Sequence, residues 1–441
     1  MGVAVRARCV VAAACLSTII GCTESKAPTT AADPAPTSAS VATSAPATTS
    51  VGSGSASTTA PSVASVPDST VAAPTGEPFV IGVVNTEGAP GLDFPEFTTA
   101  FKAAAEHINR DLGGFKGRPV RLEPCVAKGT PESSQACAQE LADKKVDLVM
   151  LGIDIFVAYP TYAAARIPVI GAVPVLPTDY TADAVFITAG NLVVQGSAAN
   201  AITNPKYLGL KRVAVITNDS PQLASALASL QPALEKGGAT VTVVSGGQNE
   251  TDAGYLALMQ DAADSNPEAI VSLYGETGCV ALMRARKDLG IAAPVFSNTS
   301  CLSKRVTDAA GDAAVGWYFA GATGVERPDD AVLRKYVAQV VGGKPEDVDV
   351  NGFASVGWGE LLAIWDTADA LSGDVTGPAV IDAFRAGHGT QLGNGQPAPC
   401  GQIAAYQSVC TFSIPFAQFT ATGAAPAFGG EMISAVELLP T

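Results

Sequence analysis

Histidine, serine and cysteine are the residues from which this chain could build a reactive centre. Only two histidines are present, His107 and His388, and they lie far apart. That argues against a His-rich metal site and against a Ser-His-Asp hydrolase. Gly-x-Ser-x-Gly is absent. Val194-Gln195-Gly196-Ser197 carries a serine at a predicted helix start but lacks the second glycine, so no nucleophile elbow forms. Neither a P-loop nor a dinucleotide fingerprint occurs. The chemistry favoured is disulfide formation, lipid attachment and non-covalent binding, with no cofactor or metal expected; the carboxylate pair of a retaining glycosidase is neither shown nor excluded by the sequence.

Composition sets the same limits. The chain has 441 residues, 47% hydrophobic and 15% charged, with 26 Lys+Arg against 41 Asp+Glu and a net charge of −15. A pI near 4.6 leaves no basic face for a phosphate backbone, so nucleic acid is excluded as a partner. No run of 18 apolar residues occurs, so a polytopic membrane protein is excluded.

Residues 1–22 read as an export signal: Arg6 and Arg8 precede the short apolar run Val10–Ile20. The run ends in Ile19-Ile20-Gly21-Cys22, which resembles the bacterial lipobox. The resemblance implies that Cys22 is diacylated and becomes the mature N-terminus, and two acyl chains give stable anchoring. Residues 23–76 hold 42 Ser, Thr, Ala or Pro among 54 positions and no aromatic residue. Such a segment buries too little apolar area to offset its ordering entropy, and is expected to be a disordered tether spanning on the order of 40 Å. Six cysteines follow the signal in this exported chain: Cys125, Cys137, Cys279, Cys301, Cys400 and Cys410. They fall into three sequence-local pairs, so Cys125–Cys137, Cys279–Cys301 and Cys400–Cys410 are expected to be disulfides. No C-x-x-C spacing supports zinc instead.

From Pro78 the chain alternates strand and helix. Phe79–Val84 is a continuous apolar run, as in a strand buried on both faces. A helix is expected from about Pro95 to Asn109, with Asp93 as its cap and Gly113-Gly114 as its stop. Strands at 120–122, 146–152 and from 168 alternate with helices at 130–144 and 159–166. The rhythm restarts with strands at 211–216, 240–244, 269–274 and from 295, and helices at 222–236, 253–265 and 278–289. A late helix is expected at 359–371, with Trp358 and Trp365 packed inward and Glu360, Asp366 and Asp369 on the surface. His107 reads as a surface or satisfied histidine. This pattern predicts parallel sheets with right-handed crossovers, and a folded span of this length divides into two α/β lobes.

The string Ile108-Asn109-Arg110-Asp111-Leu112-Gly113-Gly114-Phe115-Lys116-Gly117-Arg118-Pro119-Val120 resembles a signature of type I periplasmic solute-binding proteins, the branched-chain amino-acid receptors of ABC importers. Further segments agree in order: Ala182–Phe186 with Gln195-Gly196, Lys211–Ile216 with Asn218-Asp219-Ser220, and Ala309–Trp317. The resemblance implies two Rossmann-like lobes joined by a three-strand hinge. It places lobe 1 at 77–190 plus 320–390 and lobe 2 at 191–319 plus 391–441. It implies a monomeric, non-enzymatic, lipid-anchored protein on the extracytoplasmic face of the cell membrane, which captures a small solute of the amino-acid class or a related one between its lobes and delivers it to the permease of an ABC importer. A ligand-sensing lipoprotein of the same fold is the alternative, and an exported hydrolase a remoter one.

Ligands of open α/β sheets sit beyond the carboxyl ends of the strands. The residues placed there are Glu87, then Asp154, Ile155 and Phe156, then Val173, Pro174 and Val175 in lobe 1. In lobe 2 they are Ser220, Gln222, Tyr274, Glu276, Asn298 and Thr299. In the family, hydroxyl residues after the third and fourth strands hold a ligand carboxylate, an acid of the second lobe holds the ammonium and an aromatic ring covers it. Glu276 and Tyr274 suit the last two roles, but Gly152–Phe156 and Ala172–Val175 offer no such hydroxyl. The ligand is therefore expected to be a small, mostly apolar or non-standard solute rather than a branched-chain amino acid.

Overall fold

The first strand, β1 (Phe79–Thr86), is the apolar run noted above and is buried at nearly every position. The computed structural model describes residues 71–440 apart from 90–92, 188–189, 323, 325–326, 328, 350–351 and 391–397, and not the side chains of Pro221, Gln222, Glu276 and Thr277. The export signal, Cys22 and the tether up to residue 70 lie outside the described residues. The last tether residues, 71–76, run along the Gly113–Arg118 turn, where Gly76 N donates to Gly117 O at 2.9 Å.

β1 continues into α1 (Pro95–Asp111), β2 (Val120–Ala127), α2 (Pro131–Lys144), β3 (Leu148–Leu151), α3 (Tyr159–Ala165), β4 (Val169–Gly171) and β5 (Val185–Phe186). The strands form one parallel sheet in the order β2-β1-β3-β4-β5. Proline in the first turn starts α1, α2 and α3, and Thr130 caps α2 through its hydroxyl. Asp93 does not cap α1. Its Oδ1 accepts from Gly88 N at 2.8 Å, closing the loop before the helix, and Phe94 takes the N-cap position without a side-chain bond.

The signature string is structural. Gly113 and Gly114 have φ of +77° and +75°, and a Cβ on Gly114 would meet Arg118 O at 2.2 Å. Arg118 donates to Glu77 O, Pro78 O and Val375 O at 3.0, 2.9 and 2.7 Å, and lies over the Phe79 ring.

A second run follows: α4 (Asn191–Thr203), β6 (Arg212–Asn218), α5 (Pro221–Lys236), β7 (Thr240–Gly246), α6 (Asp252–Asp264), β8 (Ala269–Ser272), α7 (Glu276–Asp288), β9 (Val295–Asn298), α8 (Lys304–Ala310) and β10 (Trp317–Ala320). The chain then returns to the first sheet as α9 (Asp330–Val341), α10 (Phe353–Asp369) and α11 (Gly377–Arg385). It ends in the second lobe with β11 (Ser413–Ile414), β12 (Phe416–Thr420), β13 (Gly423–Pro426) and β14 (Ile433–Ser434). The second sheet has the order β13-β12-β10-β9-β8-β6-β7; β12 is antiparallel to both neighbours and the other pairs are parallel. The molecule is thus mixed α/β, with parallel-strand sheets in two lobes.

α9 and α10 pack on α1, and Phe97, Ala104, Trp358, Leu361, Ile364 and Phe384 share one core. α10 begins at Phe353, earlier than expected. Gly357 does not break it, because the helix approaches α1 so closely there that a Cβ would stand 3.2 Å from Phe97. Asp366 and Asp369 are exposed, as expected. Glu360 is the exception: it is fully buried in α10, and neither carboxylate oxygen has a hydrogen-bond partner. An apolar helix face on both sides of position 360 leaves the side chain no route to water, and burial raises its pKa well above the ordinary value.

Disulfides join Cys125–Cys137 between β2 and α2, Cys279–Cys301 between α7 and the turn after β9, and Cys400–Cys410. The last two cysteines and Ala398 pack in the lobe 1 core, so this loop, expected in lobe 2, sits on the other side of the boundary. Phe186 and Val409 form a parallel bridge: Phe186 N donates to Ser408 O at 2.8 Å and Cys410 N to Phe186 O at 3.0 Å. The first and third passages between lobes therefore run side by side.

Candidate functional site

Both sheets end in polar residues, and most turn back on their own lobe. At the end of β1, Asn85 Oδ1 accepts from Ile153 N at 3.0 Å, while its Nδ2 donates to Phe94 O at 2.7 Å and Glu87 Oε1 at 3.1 Å. Glu87 also accepts from the Thr98 hydroxyl of α1. Its carboxylate is therefore held against the start of α1. After β3, Asp154 is only 3% exposed. Its Oδ1 accepts from Ser134 Oγ at 2.5 Å and Phe156 N at 3.3 Å, and burial raises its pKa. Ile155 is half-buried on the lobe 1 core, whereas the Phe156 ring is 38% exposed.

After β4, Val173 and Val175 pack on the same core and Pro174 is buried. Asp179, which sequence reasoning missed, organises this turn. Its Oδ2 accepts from Val175 N and Leu176 N at 2.7 Å each, and Tyr159 OH donates to Oδ1 at 2.8 Å. Burial raises the Asp179 pKa against these bonds. Ser408 Oγ donates to Asp179 O at 2.6 Å, tying the turn to the third passage.

In lobe 2, Asn218 Oδ1 accepts from Ser220 N at 2.8 Å, and Ser220 caps α5. Tyr274 is buried and donates to Gly247 O at 2.7 Å, with its ring edge-on to Tyr255. Burial pushes its pKa up to about 12. Its hydroxyl is thereby committed within lobe 2. Asn298 Oδ1 accepts from Ser300 N at 2.9 Å and opens a short turn that includes Thr299. The side chains of Gln222 and Glu276 lie outside the description; their backbones stand in the first turns of α5 and α7. Asn85, Asn218 and Asn298 share one job, each latching a backbone N–H of a strand-end loop. Their common place at the last or penultimate strand position was the available signal.

A cavity of about 250 Å³ lies where the lobes meet on the hinge side. Val175 and Tyr180 of lobe 1, Leu192 at the start of α4, Ser225 and Ser229 of α5, and Tyr406 line it. Of the predicted residues it gathers only Val175. Tyr180 and Tyr406 meet edge-on at 5.6 Å. No charged side chain lines the cavity, and Asn191, Ser225, Ser229 and the two tyrosines make its wall polar as well as apolar. Ser197 is fully buried inside α4 and forms no nucleophile. Among the described residues no cluster of His, Cys, Asp or Glu could hold a metal ion by such side chains alone. No described helix is long and apolar enough to cross a membrane.

Solved structures share this architecture. A fatty acid ABC transporter substrate-binding protein from Thermomonospora curvata is 16% identical, with a TM-score of 0.62 over 83% of this chain and 96% of its own. The leucine-, isoleucine-, valine-, threonine- and alanine-binding protein from Brucella ovis, in a closed conformation, is 12% identical, with a TM-score of 0.63 over 83% and 97%. A solute-binding protein of an ABC transporter from R. palustris, in complex with 4-hydroxybenzoate, is 18% identical, with a TM-score of 0.57 over 81% and 95%. No curated protein matches the chain. The family model described as periplasmic binding protein matches residues 78–408, and it is a family of binding proteins rather than enzymes. One parallel and one mostly parallel sheet, three passages between them and that match together place the chain in the periplasmic binding protein family.

Proposed function

We propose that the chain is the solute-capture subunit of an ABC importer. It is a monomer held by lipid at Cys22 on the extracytoplasmic face of the membrane, and it passes a small, mostly apolar solute to a permease. One observation carries the solute class: the exposed Phe156 ring stands beyond β3 beside the half-buried Ile155, Val173 and Val175, while the nearby acids Glu87 and Asp154 are turned into lobe 1. A carboxylate clamp built from loop hydroxyls has no counterpart there. Support comes from fold neighbours named for fatty acids and 4-hydroxybenzoate, ligands whose bodies are apolar; their carboxylates would need a holder other than loop hydroxyls.

Native mass spectrometry of solute that co-purifies with the chain tests this reading. Isothermal titration with aromatic acids, short fatty acids and branched-chain amino acids extends the test. An apolar acid or neutral solute bound at micromolar strength or better supports the reading, and tight leucine binding overturns it. Radiolabelled palmitate incorporated into the wild type and lost in Cys22→Ala tests the anchor.

A further inference from the structure

A second polar site is built where β1 and β3 end, on the side covered by α2 and α3. Strand alternation puts Thr86 on the same face as Val84, which packs with Cys137, Leu151 and Tyr162. Thr86 N donates to Ile153 O at 2.8 Å, bringing Asp154 beside it. Ser134 reaches the same carboxylate from α2. Three oxygens in this corner have no partner: Asp154 Oδ2, Tyr162 OH and Thr86 Oγ1. Their residues are 3%, 1% and 0% exposed. Tyr162 lies close enough to Asp154 for the carboxylate charge to oppose ionisation of the phenol.

The charge balance of the corner is one-sided. Among the described residues no Lys, Arg or His forms an ion pair with Asp154, and Asp179 adds repulsion. Asp179 cannot serve as a second ligand, because Tyr159 and two backbone N–H groups occupy its oxygens. A buried carboxylate without a counter-charge is costly unless it takes up a proton or a cation, and at neutral pH a bound cation competes with the proton that burial favours. An all-oxygen set suits a hard cation, and one available carboxylate balances a single positive charge rather than two.

We propose that this corner binds a dehydrated alkali-metal cation, Na⁺ or K⁺, through Asp154 Oδ2, Tyr162 OH and Thr86 Oγ1. The ion would fix the Ile153–Phe156 loop from behind. The proposal stands apart from the transport reading, since it concerns lobe 1 alone.

Thermal unfolding of the full chain tests it, in choline chloride with NaCl or KCl substituted at constant ionic strength. One of the two salts should raise Tm saturably, by about 2 °C at tenfold above half-saturation, and Asp154→Asn should abolish the rise. Equal Tm in all three salts overturns the proposal, as does a rise that survives Asp154→Asn. Stabilisation by micromolar CaCl₂ but by neither alkali salt also overturns it. If Asp154→Asn does not fold, Tyr162→Phe decides. It keeps the ring and should weaken half-saturation about tenfold, the effect of losing one ligand worth ~1.4 kcal/mol; an unchanged value overturns the proposal.

Discussion

Tyr336 donates to Asp111 Oδ2 at 2.6 Å, and His107 Nδ1 meets the same oxygen at 2.8 Å. This contact fastens α9 to α1, and His107 stacks on Trp358 of α10 at 5.4 Å. Three helices that come together only after the chain has crossed to the other lobe and back are thus joined through one carboxylate. Tyr336→Phe should lower stability by about 1.5–3 kcal/mol, the usual worth of a hydrogen bond to a charged group, read by urea unfolding.

The same cluster sets a pH response. Burial lowers the His107 pKa below its ordinary 6.5, against the opposing pull of Asp111. The unfolded chain then binds the proton more readily than the folded one, so this histidine's contribution is full above pH 6.5 and falls as pH drops below it. Tm should fall less between pH 7 and pH 5 in His107→Gln than in the wild type, and parallel curves would count against the assignment.

Glu360 has the opposite sign. Its folded pKa is raised well above the ordinary 4.5. Its contribution is therefore most favourable below pH 4.5 and is lost as pH rises toward the folded pKa. Glu360→Gln removes the titration and should stabilise the protein at pH 8, with the gain shrinking toward pH 4.5. Differential scanning calorimetry across that range reads the effect.

Gly190 begins the first passage between the lobes. A Cβ there would stand 2.4 Å from Pro174 O and 2.9 Å from Tyr180 OH. The first of these is backbone and cannot swing aside. Gly190→Ala should cost roughly 1–3 kcal/mol, as overpacked positions do, and should displace the Val173–Val175 turn. Calorimetry measures the cost, and tryptophan fluorescence of the solute-free and solute-bound protein measures the effect on closure.

The Cys125–Cys137 bond closes a short loop between β2 and α2. Replacing both cysteines by Ala should lose about 3 kcal/mol by the chain-entropy estimate for a loop of this length. Urea unfolding of the double variant against the oxidised wild type gives the value.

The alternation of strand and helix was readable because buried parallel strands are continuous apolar runs, as in Phe79–Val84, and because Pro95 and Thr130-Pro131 mark the starts of α1 and α2. Local spacing sufficed for the disulfide pairs. Glu360 was misread because an acid between apolar residues looks amphipathic until both flanking faces are seen to be covered. The site was less legible for a related reason. A polar residue at a strand end can face a ligand or latch its own loop, and Asn85, Asp154 and Tyr274 do the latter through partners 68, 20 and 27 positions away. Sequence gives the place of such a residue but not the direction of its side chain.

The bridge between Phe186 and Val409 has a mechanical consequence. Two of the three connecting passages are stitched together there, so neither can lengthen or twist without the other. They are held together beside the Cys400–Cys410 loop, so a displacement at Phe186 is carried directly to Val409.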